Sequence, residues 1–170
     1  MRGSQVVRQR TVNAPIAGSN PAPSAKQELF MFLFCYGSNN PGQLSERLGH
    51  MVKVYPAYIE GYQRAYRGYS NKWDGGVATI IKMSGHSVYG LAAEVDDSDI
   101  KRMDVYEGYP TSYSRKKMKG YVDGVKKEMI VYIANMKDWN APSPAYLKAI
   151  HKTVSTFWEV DSFKDFYNEF

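Results

Sequence analysis

Apolar residues run almost unbroken from Leu29 to Tyr36, the pattern of a strand buried on both faces, and stop on the small polar stretch Gly37-Ser38-Asn39. Gln43 to Leu48 then reads as a short helix. Val52 to Ile59 and Tyr62 to Tyr69 read as two strands parted by Glu60-Gly61. Val77 to Met83 and Ser87 to Val95 read as two more, parted by Ser84-Gly85. Between these pairs lies a turn-rich loop, Asn71 to Gly76. Asp96-Asp97-Ser98 supplies an N-cap for a helix over Ile100 to Tyr106, closed by Gly108. Asp123-Gly124 turns a hairpin of Tyr113 to Tyr121 and Val125 to Ala134. Ser143-Pro144 opens an amphipathic helix with Leu147, Ile150, Val154 and Phe157 on one face, and Ser162 to Phe170 reads as one more short helix. Strands interleaved with short helices and joined by tight turns predict an α+β domain: a small mixed β-barrel with flanking short helices.

Residues 1–28 show neither periodicity and are rich in Gly, Ser, Pro, Asn and Ala; they read as a flexible leader, with 29–170 as a single domain. Met31, at the head of the first strong strand, is a candidate functional start. A chain of 170 residues, 44% of them hydrophobic, can bury one proper core. Its 14 Tyr and 3 Trp favour strands and pockets with polar rims. A net charge of +5 raises the question of nucleic acid. Part of it, however, lies on Arg2, Arg8 and Arg10 in the leader. Another part lies on Lys116, Lys117, Lys119, Lys126 and Lys127 of the hairpin, where lysines would guard a solvated edge strand. The interleaved aromatics of a nucleic-acid binder are missing, so no nucleic-acid partner is expected. The single cysteine, Cys35, rules out an internal disulfide, fits a reducing compartment and reads as a buried structural thiol. No apolar run approaches the roughly 20 residues of a membrane span, and no secretory h-region begins the chain. The expectation is a soluble, cytoplasmic protein without a membrane partner, a monomer or a homodimer.

Two stretches carry candidate chemistry. Tyr36-Gly37-Ser38-Asn39 reads either as a capped strand-to-helix turn, with Ser38 and Asn39 as caps, or as a cup of backbone N–H donors that binds an anion or a developing oxyanion. Glu107 ends a short helix among Tyr106, Tyr109 and Tyr113. A partly apolar pocket there would raise its pKa and suit it to proton transfer near neutral pH; on spacing alone it is a helix-terminal surface carboxylate. His50, His86 and His151 have no metal-ligand spacing, Ser38 lacks the GxSxG context of a nucleophile, and no phosphate-binding glycine loop occurs, so neither metal nor cofactor is expected.

YGSN after the apolar strand, WDGGVATI at 73–80, VYGLAAEV at 88–95, DVYEG at 104–108 and APSPAYLKAI at 141–150, in this order, resemble the gamma-glutamylcyclotransferases. The resemblance spans about Phe30 to Ile150. It implies a mixed β-barrel with flanking helices and an intramolecular reaction on gamma-glutamyl peptides that releases 5-oxoproline and a free amino acid or amine. By position it implies Glu107 as the catalytic glutamate, Tyr36, Gly37, Ser38 and Asn39 as the loop that holds the gamma-glutamyl group, and Tyr146 as a tyrosine of the substrate pocket. Tyr113 falls near another pocket tyrosine, across a stretch, Tyr109 to Ser112, shorter than in some members. Trp73, Gly75 and Gly76 are assigned to architecture. Alternatives are a cyclotransferase acting on a gamma-glutamyl amine, glutathione or a specialised metabolite, and a non-catalytic module of the same fold that holds a small carboxylate.

Overall fold

A computed structural model describes residues 8–10 and 30–160. Two short strands, β1 (Arg8–Gln9) and β7 (Trp158–Glu159), form a separate antiparallel pair. The other five close into a barrel: β2 (Met31–Cys35) lies antiparallel to β4 (Gly75–Val95) and parallel to β6 (Val125–Ala134). β4 pairs with β3 (Val54–Ser70), β3 with β5 (Tyr113–Val122), and β5 with β6. Helices α1 (Pro41–Leu48), α2 (Asp97–Glu107) and α3 (Pro144–Val154) flank it, so the α+β mixed barrel expected from the sequence is the fold observed. Most of the leader and the expected helix over Ser162 to Phe170 lie outside the described residues.

On β2, Leu33, Phe34 and Cys35 are all buried, as a strand covered on both faces requires. Their β4 partners, Ala93, Ala92 and Leu91, are buried as well. Next along β4, a Cβ on Gly90 would lie 2.2 Å from the Cys35 carbonyl oxygen, so this close approach requires glycine. The Gly90 carbonyl accepts from Trp158 Nε1 at 2.8 Å. The Trp158 indole packs in turn against Tyr89 and Tyr58, and Tyr58 stacks on Tyr121. These rings fasten the segment after α3 to the barrel.

Four expected strands are two. Gly61 and Gly85 take positive φ (81° and 83°), but the chain continues past both, and the β3–β4 register shifts between Glu60 and Tyr62. Glycines read as turns are a bulge and a bend opposite each other in one long antiparallel pair. The far arm of this pair, closed by the turn at 71–74, carries Arg64, Tyr66, Val77 and Ala78. The expected caps of α1 are also corrected. Asn40 accepts from Gln43 N at 3.0 Å with Pro41 at the first helical position, which leaves Ser38 and Asn39 outside the helix. α2 has the expected stop at Gly108 and a capping box between Asp96 and Asp99. α3 ends at Val154, so Phe157 is buried from the turn beyond it. The hairpin lysines are exposed; β5 pairs onward with β3 at Tyr121 and Val122 and β6 with β2 at Met129 and Ile130, while the lysines lie in stretches paired within the hairpin.

Segment 138–141 is stitched to β3 and β4: Gly68 N donates to Asp138 O at 2.9 Å, Asn140 N to Tyr66 O at 3.4 Å and Gly76 N to Ala141 O at 2.9 Å. A Cβ on Gly76 would stand 2.1 Å from the Asn140 carbonyl oxygen, and one on Gly75 2.6 Å from that of Ala141. With the backbone pinned on both sides, Gly76→Ala should lower stability by about 1–3 kcal/mol, the range for overpacking. Urea unfolding followed by tryptophan fluorescence reads this as a lower midpoint; an unchanged midpoint would show that the segment yields.

Candidate active site

The end of β2 delivers Tyr36, Gly37, Ser38 and Asn39 to one wall of a cavity of about 400 Å³. Glu107, Tyr113 and Tyr146 line the same cavity, so the seven residues that the resemblance implies as catalytic or substrate-binding meet there. Val77 and Ala78 of β4 and Trp73 of the preceding turn complete it. Trp73 is therefore a wall of the cavity as well as a support: its ring lies 5.1 Å from that of Tyr146. Gly75 and Gly76 remain architectural.

Glu107 is the last residue of α2, and four contacts fix that helix. Asp104, one turn earlier, accepts from the Tyr132 hydroxyl at 2.7 Å and pairs with Arg115 Nε at 2.9 Å. At the helix start, Asp99 meets His50 at 2.6 Å, a contact that draws the His50 pKa upward, while Arg102 donates to Leu48 O at 2.6 Å. The last two tie the end of α1 to α2. Glu107 Oε1 then accepts from Asn39 Nδ2 at 3.1 Å, and Asn39 Oδ1 accepts from Arg47 Nη1 at 2.8 Å. Gln43, with its amide oxygen turned to Arg47 and its nitrogen to Ser38 O, holds the guanidinium from the other side. Burial pushes the Glu107 pKa up, while the Asn39 hydrogen bond and the Arg47 charge pull it down, for a net upward shift. Its position at the negative end of α2 acts in the upward direction too.

The tyrosines are bound to the barrel. The Tyr146 hydroxyl accepts from Ala78 N at 2.7 Å, and the Tyr113 hydroxyl donates to Ala78 O at 3.0 Å, so the two rings grip the backbone of one residue. Tyr36 donates to the Tyr132 carbonyl. Burial holds the pKa of all three well above the usual phenol value. Gly37 fits beneath: a Cβ there would lie 3.3 Å from the Tyr146 hydroxyl. Of the ring trio expected around Glu107, Tyr113 lines the cavity, Tyr106 stands half exposed at its mouth under Arg47, and Tyr109 turns away to Arg115.

Two arginines escaped sequence reasoning. Arg47, on α1, donates from Nη1 to Asn39 Oδ1. Arg64 is buried, with Nε donating to Tyr36 O and Nη2 to Tyr89 O, both at 2.9 Å, so it anchors the start of the glycine loop. Gln63-Arg64-Ala65-Tyr66-Arg67 gives no local signal for its burial, since another cation and a polar residue flank it. Cys35 is buried as expected, its thiol pKa pushed far up by burial, and it faces no histidine: among the described residues no histidine lines the cavity. Among the same residues no cluster of His, Cys, Asp and Glu is fit to hold a metal, and no helix is long and apolar enough to cross a membrane.

The fold is that of gamma-glutamyl cyclotransferase structures. One such enzyme, 23% identical, superposes with a TM-score of 0.66 over 71% of this chain and 76% of its own. A human protein described as uncharacterized, also 23% identical, gives 0.66 over 73% and 78%. A yeast gamma-glutamyl cyclotransferase described as specific to glutathione, 12% identical, gives 0.59 over 81% and 92%. The sequence model of the family Gamma-glutamyl cyclotransferase, AIG2-like matches residues 33–150, and the chain belongs to that family. No curated protein matches it in sequence.

Tyr146→Phe would leave the buried Ala78 N–H without its acceptor. The cost should be about 1–3 kcal/mol, that of a buried unsatisfied donor. Denaturation of the variant beside Tyr113→Phe, which strands a carbonyl instead, checks this: Tyr146→Phe at wild-type stability would remove the hydroxyl from its structural role.

Proposed function

We propose that the protein is a gamma-glutamylcyclotransferase that converts gamma-glutamyl amino acids or peptides to 5-oxoproline and the free amino acid or amine, with Glu107 as general acid and base. What carries this reading is a single carboxylate, raised in pKa and held by Asn39, facing a cavity walled by tyrosines and a glycine loop, with Arg47 and Lys72 at one side. In a gamma-glutamyl amide the substrate brings its own nucleophile. Its α-amino nitrogen attacks the γ-carbonyl carbon, the ring C–N bond forms, and the original amide C–N bond breaks. Holding the chain in its ring-closing shape contributes up to about 7–11 kcal/mol by effective molarity. Glu107 takes a proton from the α-ammonium, which frees the lone pair, and returns one to the departing nitrogen. The loop at Gly37 and Ser38 holds the α-carboxylate or the carbonyl oxygen as it gains charge, and Tyr36, Tyr113 and Tyr146 shape the chamber around the glutamyl carbons.

The test is 5-oxoproline release from gamma-glutamyl dipeptides, gamma-glutamyl-lysine and glutathione. Glu107→Gln should keep the fold and lower kcat by about 10²–10⁴, the usual worth of a positioned acid-base group. Full activity in that variant would remove Glu107 from its role.

A pH profile checks the tuning. Because the Glu107 pKa is raised, the acid limb of kcat/KM should lie above the ordinary glutamate range. Asn39 and Arg47 both favour the ionised form, so Asn39→Ala and Arg47→Met should each move that limb to higher pH. A limb that stays in place in both variants would detach it from Glu107.

A further inference from the structure

Beside the active-site cavity lies a second one, of about 480 Å³, and the two share Arg47, Lys72 and Tyr106 as a common wall. Beyond that wall the second chamber is lined by Lys152 from α3 and Glu46 from α1. Three cations from three separate elements, Arg47 on α1, Lys72 in the turn after β3 and Lys152 on α3, thus converge against one carboxylate. Arg47 is already engaged by Asn39 and Gln43. Lys72 and Lys152 are exposed, and Lys72 sits with its ammonium 5.2 Å from the Trp73 ring centre, at the threshold between the chambers.

On the cyclotransferase reading, the glutamyl half of the substrate would fill the inner chamber with its reacting carbonyl beside Glu107. The group on the far side of the scissile bond must then pass the shared wall. We infer that the second cavity is the leaving-group subsite, and that Lys72 and Lys152 select leaving groups that carry a free carboxylate, an amino acid or short peptide, over neutral amines and carboxamides. The inference rests on the cyclotransferase reading of the inner chamber. The selection is electrostatic: a carboxylate arriving in this chamber meets two ammonium groups and the flank of Arg47, whereas a carboxamide gains none of that attraction. Partly exposed charge pairs are weak singly, so two together set an expected preference of about tenfold. Screening should erode it as ionic strength rises.

The experiment compares kcat/KM for gamma-glutamyl-glycylglycine and for its C-terminal carboxamide, which differ only in that charge, in wild type, Lys72→Met, Lys152→Met and the double variant. Wild type should favour the carboxylate about tenfold at low salt, each single variant should reduce the ratio, and the double variant should bring it near one. Arg47 is left intact, so that Glu107 keeps its partners. Turnover of both substrates with no preference in wild type would overturn the subsite and leave the chemistry standing. A preference that survives in the double variant would overturn the assignment to these lysines. Silence on both substrates, and on the wider gamma-glutamyl panel, would sink the cyclotransferase reading and the subsite with it.

Discussion

A carboxylate withdrawn from water needs partners, and the Asn39–Glu107 hydrogen bond is the contact around which this end of the molecule is organised. It joins the loop after β2 to the last residue of α2. It forms because Asn40, one residue on, takes the helix-capping duty and leaves the Asn39 amide free to turn inward. Arg47 then fixes the Asn39 amide by taking its oxygen, so that the nitrogen must point at Glu107. The His50–Asp99 and Arg102–Leu48 contacts hold the two helices in the spacing this relay needs. Loosening the contacts between the helices would let water reach the carboxylate and reduce the upward push of burial on its pKa, whereas losing Asn39 or Arg47 would raise it further.

Below the relay, the barrel sets where the chain turns. β2 is buried on both faces, so its backbone must stay paired until the protein ends above it. The polar loop begins where that cover stops. Arg64 completes the arrangement from beneath by donating to the carbonyls of Tyr36 and Tyr89, which binds the loop to β4. The long β3–β4 arm carries Ala78, whose N–H and C=O are held by Tyr146 and Tyr113. One wall of the chamber is thus made of hydrogen bonds to the backbone of a single residue.

These origins explain what the sequence revealed. β2, the hairpin and the N-cap of α2 were legible because apolar runs, Asp-Gly and the Asp96-Asp97-Ser98 cap signal act locally. Gly61 and Gly85 misled, because a positive φ serves a bulge as well as a turn, and only the partner strand decides between them. Glu107 was visible through its resemblance to a family pattern, since spacing alone made it a surface residue. Its burial comes from α1 and the β2 loop, and the residue that bonds it lies 68 positions away. Arg47 and Arg64 stayed hidden for the same reason: their partners belong to other elements.

The proton inventory of the chamber follows from burial. Tyr36, Tyr113, Tyr146 and Cys35 are all pushed upward, so near neutral pH they stay protonated and act only as neutral donors, acceptors and walls. Glu107 is pushed the same way from a much lower start, which brings it toward neutrality as they move off. The shift has a cost with a definite sign. A carboxyl whose folded pKa exceeds its unfolded value holds its proton more tightly in the native state. Stability therefore declines as pH rises from the ordinary glutamate range through the raised folded value. Asn39 and Arg47 oppose that decline by favouring the ionised form. They keep the upward shift short of what burial alone would impose, and the carboxylate stays able both to take a proton and to return it.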